Sequence, residues 1–164
     1  MDRVAIEGTW GSREWMTNRN EILLDWFNGD RDALQFLMMI SDATELWDDL
    51  IDKDKEIAPH QINKAFFYML AGIPENSFYA KHREYLTPVI IQCINSWHDA
   101  NILEYGDRNQ RIIAYTLRNM DLQLVQAIVF LTSGYSKMRE VSALMWIEFG
   151  AKQDDILEWV GDKA

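Results

Sequence analysis

Aspartates at helical spacing are the residues in this chain best suited to chemistry. In the segment Asp48-Asp49-Leu-Ile-Asp52, the first and last carboxylates lie four positions apart. On a helix this spacing places both carboxylates on the same face. Because carboxylate oxygens are preferred ligands of Mg²⁺, the sequence predicts a divalent-cation site formed by Asp48, Asp49 and Asp52.

A second acidic segment, Asp154-Asp155-Ile-Leu-Glu158 followed by Gly161-Asp162, repeats the pattern. The stretch DDILEWVGD is similar to the second aspartate-rich motif of trans-isoprenyl diphosphate synthases, and the first segment resembles a fragment of their other motif. The resemblance implies Mg²⁺-dependent diphosphate chemistry at Asp48, Asp52, Asp154 and Asp155. A simpler interpretation, which we favour, is that both runs form the solvated faces of amphipathic helices.

A different ligand set is suggested by His60, the adjacent pair His98-Asp99 and a later aspartate, Asp154 or Asp155. This order is similar to that of the metal ligands in HD-domain phosphohydrolases, and HDANILEYGD resembles the HDA…GD segment of their nucleotidase members. The resemblance implies a divalent metal that generates hydroxide for attack on a nucleotide phosphate. We favour the alternative that each histidine is an ordinary packing or surface residue.

The helix predicted over 87–107 has a buried face that becomes polar partway along. Thr87 and Pro88 have the character of an N-cap and first turn, and Gly106 that of a helix end. The apolar stripe continues into Asn101 and Glu104, and its earlier members are Leu86, Ile90, Cys93, Ile94, Trp97 and Ala100. Unpaired buried polar groups cost about 1–3 kcal/mol each. This polar cluster therefore requires a partner, a water molecule or an opening, or serves the metal site as surrounding or substrate-binding groups.

The pattern elsewhere also predicts helices, and strand signals are sparse. We expect an arm over 1–17, a helix that begins with a capping box at Asn18 and ends at Asn28-Gly29, and a short helix that opens at Pro59. Longer helices are predicted over 31–53, 110–133 and 137–160. The fold class is therefore all-α, a compact single-domain bundle of about six helices spanning 1–164.

Composition excludes several functional classes. The formal net charge of −10 argues against nucleic-acid binding, which depends on Lys and Arg neutralising phosphates. The first twenty residues lack the apolar core of a signal peptide, and no apolar run has the length of a membrane span. The single cysteine, Cys93, fits a buried packing role in a reducing, cytoplasmic or otherwise intracellular setting.

Surplus apolar side chains provide the basis for our preferred function. Met38, Leu122, Val129 and Ile147 lie outside the predicted core stripes, so several helices would carry a second apolar side. A chain of this size buries such sides by layering its helices or covers them with another chain. We therefore expect a non-enzymatic interaction or assembly module that binds a protein partner or self-associates. The metal-dependent phosphohydrolase is the alternative, the isoprenoid-type reaction comes third, and a divalent metal is the one cofactor that the sequence suggests.

Overall fold

A computed structural model describes residues 13–53, 55–150, 156–157 and 159–161, with side chains from residue 18 onward. The chain is all-α, as the sequence predicts: it is 85% helical, and the described residues contain no strand. The contacts divide the chain into two compact units, Met1–Ile73 and Pro74–Ala164, and the single domain over 1–164 stays a prediction. None of the described helices combines the length and the apolarity needed to cross a bilayer.

The first unit is built from three helices whose ends follow local sequence signals. These are α1 (Arg13–Trp26), α2 (Arg31–Asp52) and α3 (Pro59–Phe67). The side chain of Asp30 accepts a hydrogen bond from the Ala33 amide at 2.9 Å, so it caps α2 as predicted. Asn28 and Gly29 both have positive φ after α1, which confirms the predicted end of that helix. However, α1 begins before Asn18, so the predicted capping box lies inside the helix.

The core of the first unit confirms the predicted face of α1 and corrects that of α2. Leu23, Trp26 and Phe27 are buried, as expected. On α2 the buried side chains are Ala33, Phe36, Leu37, Met39 and Leu46. By contrast, Leu50 and Ile51 are exposed, although the helical period over 31–53 predicts that they share one apolar stripe with Leu37, Ile40, Ala43 and Trp47. Apolar residues occur in adjacent pairs along α2, and periodicity alone does not decide which member of each pair faces inward.

A π-helical turn, Tyr68–Gly72, follows α3 without a break and changes which side chains face outward. In a regular α-helix, Phe66, Leu70 and Ile73 would share one face. Here Phe66 and Leu70 are 62% and 76% exposed, whereas Ile73 is 6% exposed. The wider turn rotates Ile73 inward and leaves the preceding apolar residues in solvent.

The second unit contains three helices of 27, 11 and 28 residues. After a short helical turn at Ile73–Glu75 come α4 (Ser77–Leu103), α5 (Arg108–Arg118) and α6 (Asp121–Glu148). Asn76 caps α4 by accepting from the Tyr79 amide, and Asp107 caps α5 by accepting from the Gln110 amide, both at 2.9 Å. Helical residues recur at 156, 157 and 159.

The predicted helix start at Thr87-Pro88 is wrong, because α4 runs through both residues. Proline inside a helix removes one hydrogen bond and costs about 3 kcal/mol. The turns before Pro88 bury Phe78 and Leu86, and fully burying large apolar side chains gains about 1.5–3 kcal/mol each. Burial of these two side chains therefore offsets the proline. The Thr87 hydroxyl instead lies 3.2 Å from the Tyr79 hydroxyl.

The helix predicted over 110–133 is in fact two helices, separated at Asn119 and Met120. The Asn119 side-chain amide donates to the Tyr115 carbonyl at 2.8 Å, so it competes with the helical backbone and ends α5. The predicted break near residues 133–136 is present as a kink, since Gly134 has φ 80° and ψ 177°. The last long helix ends at Glu148 instead of Val160, and Phe149 is its C-cap.

The first half of α6 is the most buried helical segment of the second unit. Its buried side chains are Leu122, Leu124, Val125, Ala127, Ile128 and Val129. They surround the helix, which confirms the prediction of a central element in this region. Leu122 and Val129, which lie outside the predicted core stripes, are thus buried by the layering of helices, one of the two outcomes that the sequence allows. Of the four residues outside those stripes, Ile147 is 67% exposed and Met38 is partly exposed.

We predict that Gly72→Ala destabilises the chain even though alanine is the better helix former. A Cβ at Gly72 would lie 2.8 Å from Met39 Sδ, and the Met39 side chain is 4% exposed and has little room to move. We expect a loss of about 1–2 kcal/mol, as for other insertions into packed cores. Urea unfolding of the single and double variants measures this loss.

The matched control is the same substitution in a Met39→Ala background. With the sulfur removed, Gly72→Ala should become neutral or stabilising, because only the propensity gain of about 0.5–1 kcal/mol remains. An equal destabilisation in both backgrounds would contradict the close contact as the cause.

Candidate functional site

The polar cluster predicted on α4 is present, and a single arginine satisfies it. Arg118 Nη2 donates to Asn101 Oδ1 at 2.9 Å and to Glu104 Oε2 at 2.7 Å. The side chains of Arg118 and Glu104 are each 17% exposed, so this ion pair lies largely out of solvent. The sequence therefore correctly predicts that Asn101 and Glu104 need a partner. It does not identify Arg118, which comes from the last turn of α5.

Helix electrostatics explain why Glu104 requires a cation. Glu104 is the C-cap of α4, where the partial negative charge of the helix end disfavours a carboxylate. Arg118 lies in the last turn of α5, where the same effect favours a cation. The arginine therefore offsets an unfavourable charge on one helix while it occupies a favourable position on its own.

Trp159 extends this cluster to the helical residues at 156, 157 and 159. The Arg118 guanidinium carbon lies 5.0 Å from the centroid of the Trp159 ring, and Tyr115 packs on the same ring with centroids 5.8 Å apart. The indole Nε1 donates to the Arg111 carbonyl at 3.0 Å, and Val160 is buried. The described part of DDILEWVGD thus has a packing role.

The segment HDANILEYGD is largely occupied by structural contacts. Besides Asn101 and Glu104, Asp99 Oδ2 accepts from Asn95 Nδ2 at 3.1 Å, and Asp107 caps α5. His98 is exposed, and its ring lies 5.6 Å from that of Trp97. Asn101, Glu104 and Asp107 therefore stabilise the ends of α4 and α5.

The proposed metal ligands are distributed over both units. His60 is exposed in the first turn of α3 in the first unit, whereas His98 and Asp99 are exposed on α4 in the second. Asp154 and Asp155 lie outside the described residues. Among the residues that are described, no three His, Cys, Asp or Glu side chains form a group that could hold a metal ion. The ligand set that includes Asp154 or Asp155 stays a prediction.

The acidic end of α2 carries Asp48, Asp49 and Asp52 as predicted. Asp49 Oδ1 accepts from Lys55 Nζ at 2.9 Å, and its side chain is 14% exposed. Asp52 is exposed and Asp48 is partly exposed. A cation would have to displace Lys55 from Asp49. The Mg²⁺ site that combines this segment with Asp154 and Asp155 also stays a prediction.

The single cysteine has the environment of a packing residue. The Cys93 thiol is partly buried and donates to the Met120 carbonyl at 3.3 Å. Burial, reinforced by the negative charge of Asp121, raises the pKa of Cys93 to about 11. Because the thiolate is the reactive form, Cys93 is a poor nucleophile at neutral pH.

Two groups of exposed side chains, mostly apolar, lie close together along their helices, and the sequence does not predict them. The first, here called the α3 patch, consists of Phe66, Phe67, Met69 and Leu70, which are 62%, 62%, 54% and 76% exposed. The second, here called the α4 stripe, consists of Ile91, Ile94, His98, Ile102 and Tyr105, all of them exposed. Ile94 was predicted in the core, and its exposure corrects that assignment. The sequence feature that indicates the α4 stripe is the spacing of its members by three and four positions, which places them on a second face of the helix.

We predict that Arg118→Met destabilises the chain by about 2–4 kcal/mol, because it leaves a partly buried carboxylate and an amide without their donor. Thermal or urea unfolding provides the measurement. Arg118→Lys should recover only part of the loss, because one ammonium lacks the fixed fork and the flat face that contacts Trp159.

Glu104→Gln, introduced into the wild type and into the Arg118→Met variant, separates the stabilisation by the ion pair from the stabilisation by packing of the arginine stem. We expect the two substitutions to be strongly non-additive, with Glu104→Gln costing less once Arg118 is already methionine. Simple additivity would show that the 2.7 Å contact does not stabilise the chain.

No protein-family model, curated protein or solved structure matches this chain. The likeness to HD phosphohydrolases and to isoprenyl diphosphate synthases therefore depends on short sequence segments alone.

Proposed function

We propose that this chain is a non-enzymatic interaction or assembly module that binds protein surfaces through exposed apolar side chains. The observation that carries the proposal is the α3 patch, in which four large apolar residues within a span of five are more than half exposed. Monomeric proteins rarely leave contiguous apolar surface of this kind in water. Aromatic residues and methionine are also the types enriched at protein interfaces.

The structure of the first unit supports the patch as a stable feature. The π-helical turn at 68–72 follows α3 directly and directs Ile73 into the core while Leu70 remains in solvent. Gly72 packs against Met39 of α2, which holds this turn in place. The patch therefore lies on a fixed backbone, which lowers the entropy that binding would cost.

Charge around the α3 patch also suits an apolar partner. Residues 65–73 carry no formal charge. Lys64, which precedes them, forms a 2.7 Å ion pair with Asp42, and this carboxylate raises the pKa of the lysine. A chain with net charge −10 repels most acidic proteins, so an uncharged patch provides a place where another chain can approach closely.

The test introduces a photoreactive residue at Leu70 and irradiates the protein in an extract of the cells that produce it. We expect a discrete cross-linked chain that also binds the purified protein after isolation. Phe66→Asp should weaken that binding by about tenfold or more, since burying one large apolar side chain contributes about 1.5–3 kcal/mol.

Ile147→Asp provides the matched control, because it adds the same charge at a residue that is 67% exposed in the other unit. Equal effects of the two substitutions would contradict the α3 patch as the binding surface. Absence of any cross-linked protein, together with a monomeric mass at every concentration, would contradict the interaction function itself.

A divalent-metal phosphohydrolase is the second candidate, and one observation favours it. His98 and Asp99 are adjacent and both exposed, as the ligands of a metal that must meet a nucleotide would be. His60 and Asp154 or Asp155 would complete the ligand set. A bound metal would supply hydroxide and clamp the phosphate oxygens. Asn101 and Glu104, predicted as surrounding or substrate-binding groups of such a site, are hydrogen-bonded to Arg118 in this chain and support the end of α4.

Metal content and phosphate release from a nucleotide panel test this candidate. A hydrolase should contain about one divalent ion per chain or more, and His98→Ala/Asp99→Ala should abolish both metal content and phosphate release. Asn95→Ala is the control, because it removes only the hydrogen bond to Asp99. Phosphate release that is unchanged in the double variant would exclude His98 and Asp99 as ligands.

A further inference from the structure

The α4 stripe has a spacing that reads the same in both directions. Ile91, Ile94, His98, Ile102 and Tyr105 are separated by three, four, four and three positions. His98 is therefore the midpoint, with two large side chains on each side of it. All five side chains are exposed, and those of Ile102 and Tyr105 are 73% and 86% exposed. Tyr105 lies just beyond Leu103, where α4 ends.

This stripe is separate from the face that α4 uses in its own unit. Leu86 and Ala100 are fully buried, and the partly buried Cys93 and Glu104 share their side of the helix. At 100° per residue, that side lies roughly opposite the stripe. The stripe is therefore not needed to complete the fold of the second unit.

We propose that the α4 stripe binds the α4 stripe of a second copy of this chain, with the two helices antiparallel about a two-fold axis at His98. A two-fold interface requires a patch that is complementary to itself. With this axis, Ile94 of one copy faces Ile102 of the other, and Ile91 faces Tyr105. Spacing by three and four is also the pattern that allows two helices to interlock along a seam.

The distribution of charge favours a second copy at this face. Two chains of net charge −10 repel each other, so they can approach only where acidic residues are scarce. Residues 88–103 contain a single formal charge, that of Asp99, which accepts a hydrogen bond from Asn95. The stripe thus occupies a nearly uncharged segment of an acidic chain.

Helix dipoles favour the antiparallel orientation. The partly positive N-terminal end of one α4 then lies beside the partly negative C-terminal end of the other, whereas parallel helices would place like ends together.

His98 would set the register of the pair. At the midpoint, the two imidazoles meet, and a neutral imidazole can donate from one ring nitrogen and accept at the other. A single polar residue within an apolar seam lowers stability but disfavours shifted alignments, which would place each imidazole against an apolar side chain of the other copy.

The inference deepens the proposed function, because it assigns one interface and its partner, and it is tested separately from the α3 patch. Sedimentation equilibrium of the full chain should show a reversible dimer. Ile102→Asp should raise the dimer dissociation constant by about a hundredfold or more, since the substitution enters each interface twice. His98→Leu should lower it, and Phe66→Asp should leave it unchanged. Thermal unfolding at low concentration confirms that each variant folds.

Disulfide trapping tests orientation in a Cys93→Ser background, which should keep the wild-type mass. A mixture of Ile94→Cys and Ile102→Cys chains should give mainly the mixed disulfide, because those positions face each other only in the antiparallel pair. Preferential Ile94→Cys homodimers would overturn the orientation. A monomeric wild type, or a dimer that Ile102→Asp leaves intact, would overturn the inference. The proposal for the α3 patch is decided separately, by the cross-linking experiment at Leu70.

Discussion

The second unit depends on the bond from Arg118 to Asn101 and Glu104. A carboxylate at the C-terminal end of a helix is unfavourable, and at 17% exposure solvent does little to relieve it. The arginine neutralises Glu104, hydrogen-bonds Asn101 and packs on Trp159, so one side chain joins the ends of α4 and α5 to the helical segment that contains Trp159. Removing one partner of a buried ion pair destabilises a protein strongly, because it leaves a charge unpaired. Replacing the whole pair with apolar residues of similar volume costs little, so the members of such a network constrain one another.

The same hydrogen bonds from Arg118 give a structural explanation for Asn101 and Glu104, two of the residues that in the sequence suggested a catalytic site. Polar groups on a core face indicate either chemistry or a partner that satisfies them. Here Asn101, Glu104 and Asp107 all have structural partners, in Arg118 and in the α5 cap. Their presence in HDANILEYGD is therefore explained by the helix ends alone.

Local chemistry explains which parts of the fold could be predicted from the sequence. Asp30 and Pro59 begin helices, and Asn28-Gly29 ends one, because caps depend on residues within one turn. Thr87-Pro88 also has the local character of a helix start, yet burial of the preceding turns overrides it. The break at Asn119 was predictable from a capping asparagine followed by Asp121 at a first turn, but continuous apolar periodicity obscured it.

Contacts between helices explain which parts of the site could not be predicted. Glu104 and Arg118 are fourteen residues apart, and their contact depends on how α4 and α5 cross, which periodicity does not encode. Helix α4 is apolar on two sides, so its sequence does not reveal which side its own unit covers. Only the structure shows Leu86 and Ala100 buried while Ile91 and Ile102 are exposed.

The free energy of binding differs between a catalytic site at the polar groups of α4 and a protein interface at the exposed apolar side chains. Asn101 and Glu104 already gain their hydrogen bonds from Arg118 within the chain, so a ligand at either residue would have to break these interactions first. The side chains of the α3 patch and the isoleucines of the α4 stripe carry no hydrogen-bonding groups, so covering them requires no such exchange and releases water. Another protein surface can therefore gain free energy at these residues without disturbing the hydrogen bonds of the fold, which is the physical basis of the proposed association.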